Sequence, residues 1–134
     1  MAKLMPVGAR AEVEMRVEFQ HTLTKRHPSL PPVLSTPNML ELMELACFHA
    51  LQPYCEGDEI TVGAAINIEH LAPTGMGALV KAEAVLESSD ARNRFHVCRV
   101  RAWSEEQDGR REIGRGTVTR AVVSLGRFRA KVGK

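Results

Sequence analysis

Long apolar runs are missing from this 134-residue chain. No stretch approaches the ~20 consecutive apolar residues that a membrane-spanning helix requires. Residues 1–7 contain no apolar core of the kind found in secretory signal peptides, so we expect a cytoplasmic protein. The composition, with 44% apolar and 25% charged residues, is that of an ordinary globular protein, and the length predicts a single domain over residues 1–134.

An excess of charge of one sign is also missing. The formal net charge is +2, and the resulting field is too small to indicate a nucleic-acid partner. The stretch from Arg127 to Lys134 is locally basic, and it is either a solvated terminus or a contact for a phosphate-bearing ligand or partner. We therefore expect neither nucleic acid nor a membrane as a partner.

Motifs for disulfides, metals and nucleotides are absent as well. The three cysteines, Cys47, Cys55 and Cys98, form an odd set without CxxC spacing, which does not indicate a disulfide framework or a zinc site. Cys47 and Cys98 lie in apolar patterns and are predicted to be small core residues. Because HExxH, GxGxxG and P-loop patterns do not occur, we expect no metal ion and no cofactor.

One strongly alternating segment lies near the start of the chain. Apolar and polar residues alternate over Ala11–Gln20, which predicts a half-buried β-strand. Its apolar positions are Val13, Met15, Val17 and Phe19. The polar, proline-containing connection His21–Pro32 is long for a simple turn and is a candidate lid or pocket wall.

The next segment predicts a helix from about Pro37 to Gln52. Thr36 is the predicted N-cap, Pro37 suits the first helical position, and Pro53 ends the helix. Apolar residues cover most of the circumference, so we expect the helix to be covered on more than one side. The face predicted to be buried comprises Met39, Met43, Ala46, Cys47 and Ala50, with Leu42 beside it.

Four further strand-like segments follow, separated by turn-forming residues. They are Ile60–His70, Ala78–Ser88, Arg94–Trp103 and Glu112–Ser124. Short turns between them predict an antiparallel meander, and one helix against such a sheet is an α+β fold. A single helix covers only one face of the sheet, so we expect the open face or edges to pair with a second copy in a homodimer.

Four residues in this pattern are candidates for an acyl-transfer site. Thr36 places a hydroxyl at the helix entrance, and Glu44 places a carboxylate among apolar neighbours two turns later. His70 ends a strand that also contains Gly63. Each has a purely structural interpretation too: a helix cap, a solvated helix carboxylate, an edge residue and a strand bulge. The residues alone leave both interpretations open.

The order and spacing of several short motifs resemble the hotdog-fold thioesterases, most closely the branch that includes the fluoroacetyl-CoA thioesterase. The motifs are Thr36, Leu42–Cys47, Gly63–His70, Gly114–Thr117, Arg120–Val122 and Phe128–Val132. The resemblance extends from the first strand to about Lys131. It implies a hotdog fold, in which a curved antiparallel β-sheet wraps around one long central α-helix, and a homodimer or higher oligomer with its sites at the dimer interface.

The resemblance also implies hydrolysis of a small acyl-CoA. By position, the family's catalytic set falls on Thr36, Glu44 and His70, and an arginine near its site falls on Arg120. Glu44 then either attacks the carbonyl or acts as a base towards water, and His70 holds water or protonates the leaving thiolate. We expect substrate binding at Arg120 and at two groups that receive oxyanion charge. These are the helix N–H groups near Asn38 and the backbone of Gly63.

The substrate is less well determined. Phenylalanines gate the pocket of the fluoroacetyl-specific enzyme, and the matching positions here are His27 and Leu30, so the resemblance does not imply fluoroacetyl-CoA as the substrate. The choice between CoA and a carrier protein as the thiol half stays open. Because a fold does not fix a function, the alternative is a non-catalytic hotdog module that binds an acyl-CoA or a similar metabolite.

Overall fold

The computed structural model describes residues 4–133 and places one long helix against one five-stranded sheet. The strands are β1 (Arg10–Arg16), β2 (Glu59–His70), β3 (Leu79–Ser89), β4 (Phe95–Glu106) and β5 (Gly109–Ser124). The helices are α1 (Leu23–Arg26), α2 (Thr36–Leu51) and α3 (Leu125–Lys131), with 3-10 turns at Phe19–His21 and Gln52–Tyr54. Within the described residues, no helix is both long enough and apolar enough to cross a membrane.

The sheet is antiparallel, with the strand order β1-β3-β4-β5-β2. The strands β3, β4 and β5 form a meander, as predicted. β2 does not pair with β3, which follows it; instead it lies at the edge and pairs with β5, with His70 opposite Gly114. The predicted four-stranded meander was therefore wrong for β2. Turn residues mark where a strand ends, whereas the pairing partner is set by long-range packing.

The first strand is shorter than predicted. β1 ends at Arg16, and the backbone of Glu18 donates to Nδ1 of His21 over 2.9 Å, which turns the chain into the 3-10 turn. Val17 is buried as expected, but Phe19 is 49% exposed. The assignment of Phe19 to the buried face was wrong because the hydrogen bonds of this turn interrupt the strand alternation.

The apolar face of α2 forms the centre of the core. Its predicted residues are confirmed, since Met39, Met43, Ala46 and Cys47 are fully buried. They pack against the alternating buried positions of β3 and β4, which are Val80, Ala82, Ala84, Leu86, Cys98, Val100 and Ala102. On the other side of α2, Leu45 is 44% exposed, so the protomer covers only part of this largely apolar helix.

The helix entrance differs by one residue from the prediction. Ser35 is the N-cap, in an extended conformation, and its Oγ accepts from the Asn38 backbone N–H over 3.2 Å. Thr36 is the first helical residue and Pro37 the second. The assignment of Thr36 as the N-cap was wrong: serine and threonine hydroxyls both suit the cap, and the backbone path selects Ser35. The Thr36 hydroxyl is thereby left for a different contact.

Candidate active site

The Thr36 hydroxyl contacts the imidazole of His70. Its Oγ1 lies 2.8 Å from Nδ1 of His70, which joins the start of α2 to the end of β2. Burial lowers the pKa of His70 below its usual value of 6.5, because the imidazolium loses solvation. The ring is therefore neutral at pH 7, and a neutral ring can accept a hydrogen bond from the Thr36 hydroxyl.

A second polar cluster is centred on Glu44, in the middle of α2. Arg120 of β5 donates from Nη1 to Oε2 of Glu44 over 2.9 Å. The same guanidinium donates from Nη2 to the carbonyl of Thr61 over 2.7 Å and from Nε to the Thr61 hydroxyl over 3.3 Å. The Arg120 side chain is 8% exposed and that of Glu44 is 28% exposed. A buried arginine with three hydrogen bonds therefore fixes a carboxylate that solvent still reaches.

Gly63 provides the space for this carboxylate. A Cβ atom at Gly63 would lie 2.7 Å from Oε2 of Glu44, so any larger residue would displace the acid or the strand. The β2–β5 register shifts between Gly63 and Ala65, which marks a β-bulge beside the carboxylate. Thr61, two residues earlier on β2, lies on the same side of the strand and holds Arg120.

The carboxylate of Glu44 opens onto a cleft of about 540 Å³. Apolar side chains contribute much of the lining, namely Met15, Leu42, Leu45 and Phe48. The polar lining residues are Glu14, Asn38, Glu41, Glu44 and Arg120. Apolar side chains beside a fixed carboxylate are suited to binding a small acyl group next to that acid.

The two clusters are separate within one protomer. Glu44 follows Thr36 by eight residues on α2, which places their Cα atoms about 12 Å apart. The protomer therefore brings Thr36 to His70, and Glu44 to Gly63 and Arg120, without joining the two groups.

Asn38 lies between two cavities. Its backbone N–H and its side-chain Nδ2 both donate to Oγ of Ser35, so this helix N–H is already engaged in capping. Asn38 lines the Glu44 cleft and also a cavity of about 390 Å³ beneath the long connection, where His27 and Leu30 form part of the wall. The connection is thus a pocket wall, as predicted.

Two residues of the site were missed from sequence. Ser35 caps α2, and Thr61 anchors Arg120; the only available signal for Thr61 was its position two residues before Gly63 on one strand face. Among residues 4–133, no three histidine, cysteine, aspartate or glutamate side chains lie close enough together to hold a metal ion.

Comparison with known proteins identifies the family. Residues 17–125 match the family model of fluoroacetyl-CoA-specific thioesterases. The fluoroacetyl-CoA thioesterase of Streptantibioticus cattleyicolor is 37% identical over 135 aligned positions, which cover 96% of this chain and 92% of that protein.

Solved structures agree with this match. A fluoroacetyl-CoA thioesterase structure has a TM-score of 0.83 at 36% identity and covers 96% of this chain and 95% of its own. A variant of that enzyme with serine in place of threonine, in complex with acetyl-CoA, has a TM-score of 0.82 at 37% identity, with 96% of both chains covered. A thioesterase superfamily member from Thermus thermophilus has a TM-score of 0.84 at 26% identity, covering 96% of this chain and 90% of its own.

The antiparallel sheet around α2 and these structural matches define a hotdog-fold thioesterase, which confirms the predicted fold and enzyme class. More narrowly, the chain belongs to the family of fluoroacetyl-CoA-specific thioesterases.

Proposed function

We propose that this protein hydrolyses a small acyl-CoA to the free acid and CoA, and that Glu44 is the carboxylate acting at the thioester. The observation that carries the proposal is the Glu44 carboxylate held by Arg120 and Gly63 at the wall of an apolar cleft. The related enzymes are named for an acyl-CoA substrate, and one was solved with acetyl-CoA.

In this reaction, water adds to the acyl carbon and the CoA thiolate departs. Glu44 either attacks the carbonyl, forming an anhydride that water then opens, or takes a proton from the attacking water. Three of the five N–H donors of Arg120 bind Glu44 and Thr61, so its main role is to position the acid at the cleft, which Arg120 also lines. Backbone N–H groups at the Gly63 bulge, where the β2–β5 register shifts, are suited to receive the oxyanion charge.

Thr36 and His70 complete the site from a second copy of the chain in a homodimer. Two observations support this arrangement: the separation of the clusters within one protomer, and the single partner of β2 in the sheet, whose outer edge is unpaired within residues 4–133. Residues 63–67 of that edge are exposed, with Ile66 at 45%. When Glu44 attacks the carbonyl, the neutral His70 is suited to take a proton from the water that opens the anhydride, through Thr36 or directly, and to pass it to the thiolate. When Glu44 takes that proton itself, His70 is suited to hold the attacking water.

A thiol-release assay over a panel of acyl-CoAs, run on the parent protein and on Glu44→Ala, tests the proposal. Loss of the general base or nucleophile is expected to lower kcat at least about a hundredfold while the dimer stays folded. Glu106→Ala, which removes an exposed carboxylate paired with Arg111, is the matched control. If Glu44→Ala costs less than about threefold, or if CoA esters bind without turnover, the proposal is wrong.

A further inference from the structure

The β3–β4 turn brings a serine and a histidine together outside the candidate active site. Ser89 is the last residue of β3, and it lies directly opposite His96 of β4 in the sheet register. The Oγ of Ser89 is 2.7 Å from Nδ1 of His96. Neither residue belongs to the described lining of the Glu44 cleft or of the cavity beneath the connection, so the proposed hydrolysis does not use this pair.

The hydrogen bonds of His96 fix its tautomer. Its Nε2 is 3.1 Å from the backbone carbonyl of Asn93, and a carbonyl can only accept, so Nε2 carries the ring proton. The side chain is fully buried, and desolvation lowers the pKa of His96 below 6.5, which keeps the ring neutral at pH 7. Nδ1 therefore presents a lone pair, and the Ser89 hydroxyl donates to it.

The turn between the two strands supplies a negative charge beside the ring. The Asp90 carboxylate accepts from the backbone N–H groups of Phe95 and Arg94, over 3.0 and 2.7 Å. These bonds lower the pKa of Asp90 and hold the carboxylate in place as an anion. The charge of Asp90 favours the protonated form of His96. An imidazolium formed when His96 accepts a proton is therefore stabilised by this neighbour.

We propose that Ser89 is a reactive nucleophile, activated by His96 and acylated by activated acyl esters. The groups are arranged as in acyl-transfer sites, where a hydroxyl donates to an imidazole whose other N–H is held by an acceptor. Ser89 is exposed whereas His96 is buried, so an ester can reach the hydroxyl while the base stays shielded from water. This reactivity is separate from the proposed thioesterase activity, because it requires neither Glu44 nor the cleft.

The acylation step involves only the pair and the ester. The Oγ of Ser89 attacks the acyl carbon, and the hydroxyl proton passes to Nδ1 of His96. The bond from the acyl carbon to the leaving group then breaks, and the leaving group departs with the electron pair of that bond. His96 gives up the proton to the leaving group and returns to its neutral form. The products are an O-acyl serine and a free alcohol or thiol.

Site-resolved acetylation by p-nitrophenyl acetate tests the proposal. The folded protein is sampled over time, digested and analysed by mass spectrometry for acetyl groups on individual serines. Ser88 is the matched control, since it is also exposed but lies opposite Val97 instead of a histidine. Acetylation of Ser89 is expected to be at least about tenfold faster than that of Ser88, because a general base assists the attack. Equal rates at the two serines would overturn the proposal.

Two variants test the groups behind the serine. His96→Gln removes the base, and the rate at Ser89 should fall to that of Ser88. Asp90→Asn keeps an oxygen that can accept from the N–H groups of Arg94 and Phe95 but removes the charge, so a decrease of about threefold to tenfold is expected. Circular dichroism checks that each variant is folded, and Asp90→Asn carries the test if His96→Gln does not fold. Unchanged acetylation of Ser89 in the folded variants would overturn the proposal.

A comparison with the Glu44 and Ser89 variants separates this proposal from the proposed function. Ser89→Ala should keep the parent rate of thiol release from acetyl-CoA, and Glu44→Ala should keep the parent rate of Ser89 acetylation. Loss of that acetylation in Glu44→Ala would overturn the proposal, because the acyl group would then reach Ser89 through Glu44. If Ser89 is acetylated as expected while Glu44→Ala still turns over acetyl-CoA, the role of Ser89 stands and that of Glu44 falls.

Discussion

Arg120 donates to Glu44 over 2.9 Å, and this bond joins β5 to α2 across 76 residues of sequence. The guanidinium is buried and also bonds twice to Thr61, so it has little freedom to follow the carboxylate if the carboxylate moves. A buried charge held this way costs more to disrupt than an exposed one, because the remaining partner stays desolvated.

The first prediction concerns the stability contributed by this pair. Arg120→Gln is expected to lower the free energy of unfolding by about 2 kcal/mol, since breaking a partly buried pair leaves Glu44 without its partner. Arg99→Gln, which breaks the exposed pair with Glu87, should cost less than about 1 kcal/mol. Urea denaturation monitored by circular dichroism measures both, and equal losses would contradict the burial argument.

Gly63→Ala tests the close approach of strand β2 to the acid. The new Cβ would lie 2.7 Å from Oε2 of Glu44, so the carboxylate must shift while Arg120 holds it. A displacement of about 1 Å is expected to lower kcat by roughly tenfold to a hundredfold. Gly75→Ala is the control, because a Cβ there meets no atom within 4 Å. Unchanged kcat for Gly63→Ala would show that the position of the acid is not critical.

The one-residue shift of the helix cap gives a third prediction. Ser35→Ala removes the hydroxyl that accepts from the Asn38 N–H and should lower the free energy of unfolding by about 1 kcal/mol. Thr36→Ala removes a hydroxyl that contacts His70, and its main effect is expected on kcat. Thr36→Ser, which keeps that hydroxyl, should restore most of the activity. If Thr36→Ala lowers the free energy of unfolding more than Ser35→Ala does, Thr36 rather than Ser35 is the N-cap of α2.

Mixed dimers test the arrangement of the two clusters. Glu44→Ala and His70→Ala are each expected to be nearly inactive alone. If each site takes Glu44 from one subunit and His70 from its partner, a mixed dimer contains one intact site. Co-refolding of the two variants should therefore restore up to about half of the parent kcat per mixed dimer. No recovery, with subunit exchange verified by mass spectrometry, would mean that one subunit supplies both residues.

The fifth prediction concerns acid stability. His96 is fully buried, with Nδ1 2.7 Å from the Ser89 hydroxyl and Nε2 3.1 Å from the Asn93 carbonyl. Desolvation by burial lowers the pKa of His96 below 6.5, and the pKa of His70 is lowered for the same reason. The unfolded chain therefore binds more protons than the folded one as the pH falls. The contribution of these neutral histidines to the free energy of unfolding is fully present above the histidine pKa of the unfolded chain, about 6.5. It is lost as the pH falls through the lower pKa of the folded protein.

Urea denaturation at a series of pH values checks this sign. The free energy of unfolding should fall on acidification below about pH 6.5, and the His96→Gln variant should show a flatter dependence. Backbone N–H hydrogen bonds lower the pKa values of Asp58 and Asp90 below their usual value of 3.8, so these groups reduce stability in the same direction only at pH values below about 3.8. A free energy of unfolding that increases as the pH is lowered from 6.5 to 5 would contradict the assignment of His96 as a neutral buried group.

Much of the fold could be predicted from local patterns. The buried face of α2 and the alternating core of β3 follow from periodicity, because one face of each element must be apolar to be covered. The burial of Cys47 and Cys98 follows from the same patterns. The exposed position of Phe19 and the pairing of β2 with β5 could not be predicted from these patterns. Each depends on hydrogen bonds that the alternation of apolar and polar residues does not encode.

The candidate site, like the fold, was predicted from the sequence only in part. Glu44, His70 and Gly63 were identified from sequence by their order in a family pattern. The contact of Glu44 with Arg120 was not predicted, nor was the capping role of Ser35.

The sequence by itself determined the chemical groups and most of the elements: the long helix, five strands, an acid in mid-helix, a hydroxyl at the helix entrance and a histidine at a strand end. The short helices α1 and α3 were not predicted. Periodicity and residue type act over a few residues, so these features are encoded locally. Only the tertiary structure decided that Arg120 and Gly63 meet Glu44, and that Thr36 meets His70 about 12 Å away at the N-terminal end of the helix. Such contacts depend on strand order and helix placement, which the packing of the whole chain selects.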